Sequence, residues 1–220
     1  TMSKELVKLE RLAVGYDQPL VSEITTSINS GEVIAVLGPS GIGKTTLIRT
    51  IAGLVAPLDG NIENKTPRRG GTGYIPQRLG LVRHMSVKAN VELGARCRTS
   101  RWYPALAPLP KRLRNEVIMA IEALGISEHL NEPVRILSGG QQRRVATARA
   151  LAQRPKVILA DEFLGELDDE NVEIVLSVVK QLVEEEDTAL VMVEHHEEIA
   201  RKIADRIWII EEGRLKEVEP

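Results

Sequence analysis

Residues Gly38–Thr45 read GPSGIGKT. They follow five uninterrupted apolar residues, Val33–Leu37, and precede a stretch with helical spacing at Leu47, Ile51 and Leu54. Nothing else in the chain restricts the fold so narrowly. The pattern G-x-x-x-x-G-K-[ST] between a buried strand and a helix lets glycines turn successive backbone N–H groups inward, which makes a concave anion site at a helix N-terminus. Lys44 adds a point charge suited to the outer phosphates of a nucleotide, and the Thr45 hydroxyl is a ligand suited to Mg2+.

The second half of the chain repeats the strand and helix alternation. VILAD (157–161), ALVMV (189–193) and RIWII (206–210) read as buried strands, separated by helical patterns at about 169–186 and 197–204. Such units predict a parallel sheet covered by helices. The first thirty residues instead alternate apolar and polar, which predicts antiparallel strands with one wet face. Between about 85 and 140 the pattern is helical, near 87–97 and 111–124, and PALAPLP (104–110) holds three prolines and reads as a stiff connector. The organisation expected is one domain over 1–220, with a nucleotide-binding core at 1–84 and 141–220 and an inserted helical subdomain at 85–140.

A length of 220 residues suits one such unit, and 43% hydrophobic with 27% charged residues is the balance of a globular protein. Aromatics are only 3%, so the core is expected to be aliphatic. The net charge of -2 gives no global field for nucleic acid, and no nucleic-acid partner is expected. Cys97 is the only cysteine, which rules out an internal disulfide and reads as a small, half-buried residue. Apolar runs fall far short of the roughly 20 residues of a membrane helix, and the N-terminus shows no apolar signal region. A cytoplasmic chain that reaches a membrane only through a partner is expected.

Two further sites carry chemistry. Asp161 and Glu162 stand at the C-terminal end of a buried strand, where ligands bind in open parallel sheets. Asp161 is placed to hold Mg2+ and Glu162 to polarise an attacking water, although a pair of helix-capping acids has the same spelling. Ser138 is a good helix N-cap followed by two glycines and a helix through Gln142 to Leu151, so it offers a second anion-binding helix end. Two copies meeting head to tail would combine the two ends.

Leu137-Ser138-Gly139-Gly140-Gln141 spells LSGGQ, the signature of ATP-binding cassette ATPases, and the chain resembles that family over essentially its whole length. The resemblance implies a P-loop NTPase core with a mainly parallel sheet, an N-terminal antiparallel β subdomain and an inserted α-helical subdomain. It assigns nucleotide binding to Gly38, Pro39, Ser40, Gly41, Ile42, Gly43, Lys44, Thr45 and Thr46. Tyr16 matches the aromatic that stacks on adenine, Ser138, Gly139, Gly140 and Gln141 the signature, and Asp168 the D-loop aspartate. Catalytic roles fall to Glu162, His195 as switch histidine, Lys44 and Gln77 of the glutamine loop, and metal binding to Thr45, Gln77 and Asp161. The implied cofactors are ATP and Mg2+. The implied partners are a second ATPase copy, identical or a close paralogue, and transmembrane permease subunits that hold the chain at the inner face of the cell membrane.

Several positions depart from the family pattern. Phe163 replaces a proline, Gly165 and Glu166 replace small polar D-loop residues ahead of Leu167 and Asp168, and Glu194 and His196 flank His195 in place of threonine and aspartate. His84 and His129 read as surface residues. Arg96, Arg98, Arg101, Trp102 and Tyr103 form the basic and aromatic cluster, which reads equally as a contact for a membrane partner or anionic lipid and as a solvated loop. Pro220 closely follows the last strand, which argues against the longer sugar-importer ATPases. An importer ATPase subunit is the leading reading, and a soluble ATPase that remodels or scaffolds a protein complex, as in iron-sulfur assembly, is its rival.

Overall fold

The computed structural model describes residues 4–162, 164–165, 167, 169–195 and 197–220. Strands β1 (Glu5–Gly15) and β2 (Pro19–Asn29) pair antiparallel. After β3 (Val33–Leu37) and helix α1 (Lys44–Ile51), the chain returns as β4 (Asp59–Asn64) to the free edge of β1, giving a sheet of order β2-β1-β4. Val7, Leu9, Leu12, Val14, Val21, Ile24 and Ile28 are buried on its inner face, while Lys8 and Glu10 pair outside it. This is the expected one-sided antiparallel sheet.

The central sheet adds β5 (Thr72–Ile75), β6 (Val157–Asp161), β7 (Ala189–Val193), β8 (Arg206–Glu211) and β9 (Arg214–Val218). Its order is β5-β6-β7-β3-β8-β9, parallel through β8 and closed by the antiparallel hairpin β8–β9. Every residue of β3, β6 and β7 is buried, as covering both faces demands. On one face Ile34, Val36, Leu159, Val191 and Trp208 meet Leu47 and Ile48 of α1 and the antiparallel sheet. On the other, Ala35, Ala160 and Met192 meet Val175, Val179 and Val183 of α5 (Asp169–Glu186) and Ala200 of α6 (Glu197–Ile203). The core is aliphatic as expected, with Trp208 its fully buried aromatic.

The inserted helices are α2 (Val87–Arg96) and α3 (Lys111–Ala123), and α4 (Gly139–Gln153) packs on both. The crossing of α2 and α4 is close enough that a Cβ on Gly94 would lie 2.0 Å from the Arg149 carbonyl oxygen, so only glycine fits. Asn90, fully buried, accepts from the Val82 amide at 2.8 Å and donates to the carbonyls of Val82, Met85 and Ser86, which fixes how the chain enters α2. One expectation fails at the end of α1. Leu54 is 61% exposed, because the helix ends at Ile51 and the Leu54 amide folds back onto the Arg49 carbonyl at 2.9 Å. The last turn thus closes by the six-to-one bond of a Schellman motif and carries Leu54 off the buried stripe.

Candidate nucleotide site and its second half

Strand order builds the site. Because β5, β6, β7 and β3 are consecutive neighbours running the same way, the segments leaving their C-terminal ends lie side by side. Those segments carry Gln77, Asp161–Glu162, Glu194–His195 and the glycine loop. They enclose a cavity of about 240 Å3 lined by Ser40, Gly41, Lys44, Thr45, Gln77, Glu162 and His195, among others.

The loop reaches this cavity at the N-terminus of α1, whose first turn contains no acidic residue to compete for an anion. Gly41 has φ of 77°, and a Cβ there would meet no protein atom within 4 Å, so a ligand can approach the bare backbone. Lys44 is 5% exposed and donates to the carbonyls of Gly38 at 2.6 Å and Pro39 at 3.0 Å, which hold its ammonium over the loop. Burial pulls the Lys44 ammonium below its ordinary range, against the opposing pull of Glu162 and Asp161. The cradle has the shape and charge a polyphosphate requires.

The Thr45 hydroxyl donates to Asp161 Oδ1 at 2.9 Å. Asp161 is fully buried, and its Oδ2 has no hydrogen-bond partner. Burial pushes the Asp161 carboxyl up, the bond from Thr45 opposes this, and the charge on Glu162 adds to it. A hydroxyl beside an unsatisfied buried carboxylate oxygen is a hard-oxygen donor set that fits Mg2+.

Glu162 sits at the centre of the second group. Gln77 Nε2 donates to Glu162 Oε2 at 2.5 Å, and His195 Nε2 lies 2.6 Å from Oε1. Its backbone has φ of 51°, a left-handed conformation that costs about 1–3 kcal/mol for a residue with a side chain and clusters at functional sites. The surroundings hold it there. The Glu162 amide donates to the Val193 carbonyl at 3.2 Å, and Arg143 Nη1, from α4, donates to the Glu162 carbonyl at 2.6 Å.

Ser138, Gly139 and Gly140 do not line this cavity. Ser138 caps α4 and accepts from the Gln141 amide at 3.2 Å, while Gln141 Oε1 accepts from the Ser138 amide at 2.8 Å, completing a capping box. The signature is therefore a finished helix end whose Ser138 and Gly139 are exposed away from the loop. Tyr16, after the end of β1, is 58% exposed and presents its ring outside the cavity lining. Asp168 lies outside the described residues, as do Phe163, Glu166 and His196.

Four residues near the site carried no sequence signal for their roles. Arg143 ties the signature helix to the Glu162 backbone. Arg149, on the same helix, donates to the carbonyls of Leu79 and Gly80, both at 2.7 Å, just beyond Gln77. His129 was expected at the surface. It lies instead against the signature, Nε2 2.8 Å from Gln141 Nε2 and Nδ1 2.7 Å from Glu132. Glu194, noted only as a departure from pattern, is 3% exposed with an unpartnered Oε1, and burial pushes its carboxyl up to about 7.

The family model described as ABC transporter matches residues 21–165. The chain belongs to the ABC transporter family. It is 35% identical over 220 residues to the sulfate/thiosulfate import ATP-binding protein CysA 1 of Agrobacterium fabrum, with 96% of this chain and 62% of that protein covered. It thus spans less than two thirds of that relative. It is 33% identical over 228 residues to the phosphonates import ATP-binding protein PhnC of Escherichia coli strain UTI89, with 96% and 87% covered. A solved dimeric cassette, MJ0796 in a post-hydrolysis state bound to ADP and Pi, superimposes with a TM-score of 0.84 at 28% identity, over 97% of this chain and 98% of that one. The α/β fold read from the sequence, with its P-loop core and two β and α subdomains, is that of this ATP-binding cassette.

Proposed function

We propose that this chain binds and hydrolyses ATP as the motor subunit of an ABC importer, working as a head-to-tail pair beneath permease subunits at the inner face of the cell membrane. The observation that carries this reading is the convergence of Gln77 and His195 on Glu162 beside the glycine loop. Each Glu162 oxygen keeps a lone pair beyond the one its neighbour uses, so the fixed carboxylate can accept a proton from a water in the cavity. His195 and Gln77 orient that carboxylate, and Lys44 with the loop amides holds the phosphates. Thr45 and Asp161 hold Mg2+, which supplies Lewis-acid polarisation of the phosphate oxygens when bound.

In this reading Ser138, Gly139 and Gly140 of one copy complete the phosphate site of the other, Asp168 joins from the D-loop, and Tyr16 stacks on the base. The relatives named for import and the dimeric cassette support it, as does the exposure of a finished phosphate-binding helix end. In the same reading the surface around Gln77, Leu79 and Leu81 receives a short helix of the permease. Glu162→Gln is expected to retain ATP binding, lower turnover by about 10²- to 10⁴-fold, and accumulate an ATP-bound dimer on light scattering. Wild-type turnover in that variant removes Glu162 from the role of base.

A further inference from the structure

Between Leu93 and Asn115 the chain carries five arginines and one lysine and no aspartate or glutamate, in a protein of net charge -2. The next carboxylate, Glu116, is already shared among Arg98, Arg112 at 3.1 Å and Arg154 at 3.6 Å. Arg101, Lys111 and Arg114 are exposed, and among the described residues no carboxylate pairs with them. The loop between α2 and α3 is therefore a local cationic rim that no carboxylate among the described residues neutralises.

Two apolar side chains stand in that rim, Trp102 at 88% and Leu106 at 98% exposed. Their exposure is built in. The Tyr103 amide donates to the Ser100 carbonyl at 2.9 Å, and its hydroxyl donates to the Pro108 carbonyl at 2.5 Å. The Ala107 amide turns back to the Pro104 carbonyl at 3.1 Å, and Arg96 Nη2 pins the Ala107 carbonyl at 2.9 Å. Leu109, at 2% exposure, anchors the loop in the core. Leu106 thus rides on a tip held from both sides rather than on slack chain.

We propose that the loop from Thr99 to Pro110 is a contact for anionic lipid headgroups, with Trp102 and Leu106 entering the interface and Arg101, Lys111 and Arg114 supplying the cationic rim. Indole rings settle at headgroup level, and each unpaired cation near an anionic surface strengthens binding about fivefold. Two protruding side chains flanked along the chain by exposed cations suit this better than a protein partner, since a stable protein interface needs roughly 800 Å2 per side with its aromatic anchor enclosed in a pocket. The contact lies apart from the nucleotide cavity, so it stands or falls separately from ATP hydrolysis.

The test floats the purified full chain with vesicles of phosphatidylcholine alone and of phosphatidylcholine and phosphatidylglycerol in equal parts. Binding is expected only to the mixed vesicles, weakening as salt shortens the screening length below about 10 Å. Trp208 is fully buried, so a blue shift in emission on binding that is absent from Trp102→Phe reports Trp102 alone. The pair Trp102→Ser and Leu106→Ser is expected to weaken partition by at least about tenfold, and Arg101→Gln or Arg114→Gln by about fivefold each. ATP turnover in these variants is expected to match the wild type, which also shows that they fold. Equal binding to both vesicles, absence of binding to either, or flotation with unshifted Trp102 emission overturns the proposal. Absence of binding leaves a membrane protein as the partner of the loop.

Discussion

The two helix ends proposed to bind phosphate are built to opposite plans. At the glycine loop, four parallel strand ends bring Lys44, Thr45, Gln77, Glu162 and His195 to the lining of one cavity, with Thr45 donating to the buried Asp161 behind it and Gln77 and His195 flanking the Glu162 carboxylate at hydrogen-bond distance. At the signature, Ser138 and Gln141 satisfy one another in a capping box and the helix end stays exposed. The first end carries internal stress, visible in the left-handed Glu162 and the orphaned oxygens of Asp161 and Glu194. At the second, Ser138 and Gln141 satisfy each other and show neither feature. In the head-to-tail pair proposed above, the difference means that chemistry is prepared within one copy, while control over when it happens is handed to the surface, where another copy brings the missing half.

The sharpest way to break this comparison is to damage each end separately. Ser138→Arg is expected to abolish hydrolysis yet leave nucleotide binding to the monomer intact, since bulk at that helix end blocks only the neighbour's site. Lys44→Ala is expected to lose binding itself. Mixed dimers of the two hold one site made of two damaged halves and one of two intact halves. Partial return of turnover in the mixture supports the head-to-tail arrangement. Loss of monomer nucleotide binding in Ser138→Arg would place both ends in one site and end the distinction.

Much of the cavity end was legible because its motifs sit where buried strands stop. Val33–Leu37, VILAD and ALVMV mark strand ends by their apolar runs, and the residues immediately after them are the ones that meet. β4 was not legible, since DGNIEN offers one apolar residue and pairs only because β1 presents an open edge. β9, reading RLKEV, is likewise made by its hairpin with β8 rather than by its own pattern. The signature was readable as a helix start, but Arg143, Arg149 and His129 were not. Their partners are backbone carbonyls or a side chain twelve residues away, and no spacing rule points from one to the other.

Stress at the cavity end is open to titration. The Glu194 carboxyl is raised to about 7 chiefly by burial, with the charge on Glu162 adding and the His195 backbone amide, the His195 ring and Arg143 opposing. A carboxyl raised in the folded state binds a proton that the unfolded chain has lost, so stability falls as pH rises from the unfolded value of about 4.5 through about 7 and is flat above that. Glu194→Gln keeps the shape of the protonated acid. It is expected to match the wild type in denaturant melts near pH 5 and to exceed it by about 3 kcal/mol near pH 8. Parallel stability curves for the two proteins show that Glu194 is not stressed in the folded chain.

The smallest effect tests whether the signature end is as relaxed as its geometry indicates. Gln141 Oε1 accepts from the Ser138 amide, so the Gln141 amide nitrogen faces His129, whose Nε2 must act as acceptor while Nδ1 carries the proton toward Glu132. His129 thereby sets which way Gln141 points, and Gln141 holds the Ser138 amide. His129→Ala is expected to cost about 0.5–1.5 kcal/mol, the net worth of one hydrogen bond, and Gln141→Ala about 1 kcal/mol through the lost half of the cap. If the three residues act as one chain of contacts, the double variant costs less than the sum, because removing Gln141 already removes what His129 orients. Hydrogen exchange at the Ser138 amide should quicken in all three variants, a readout that lost packing around His129 alone would not move. Strict additivity, with the Ser138 amide exchanging as in the wild type after His129→Ala, would show that the capping box stands without its histidine.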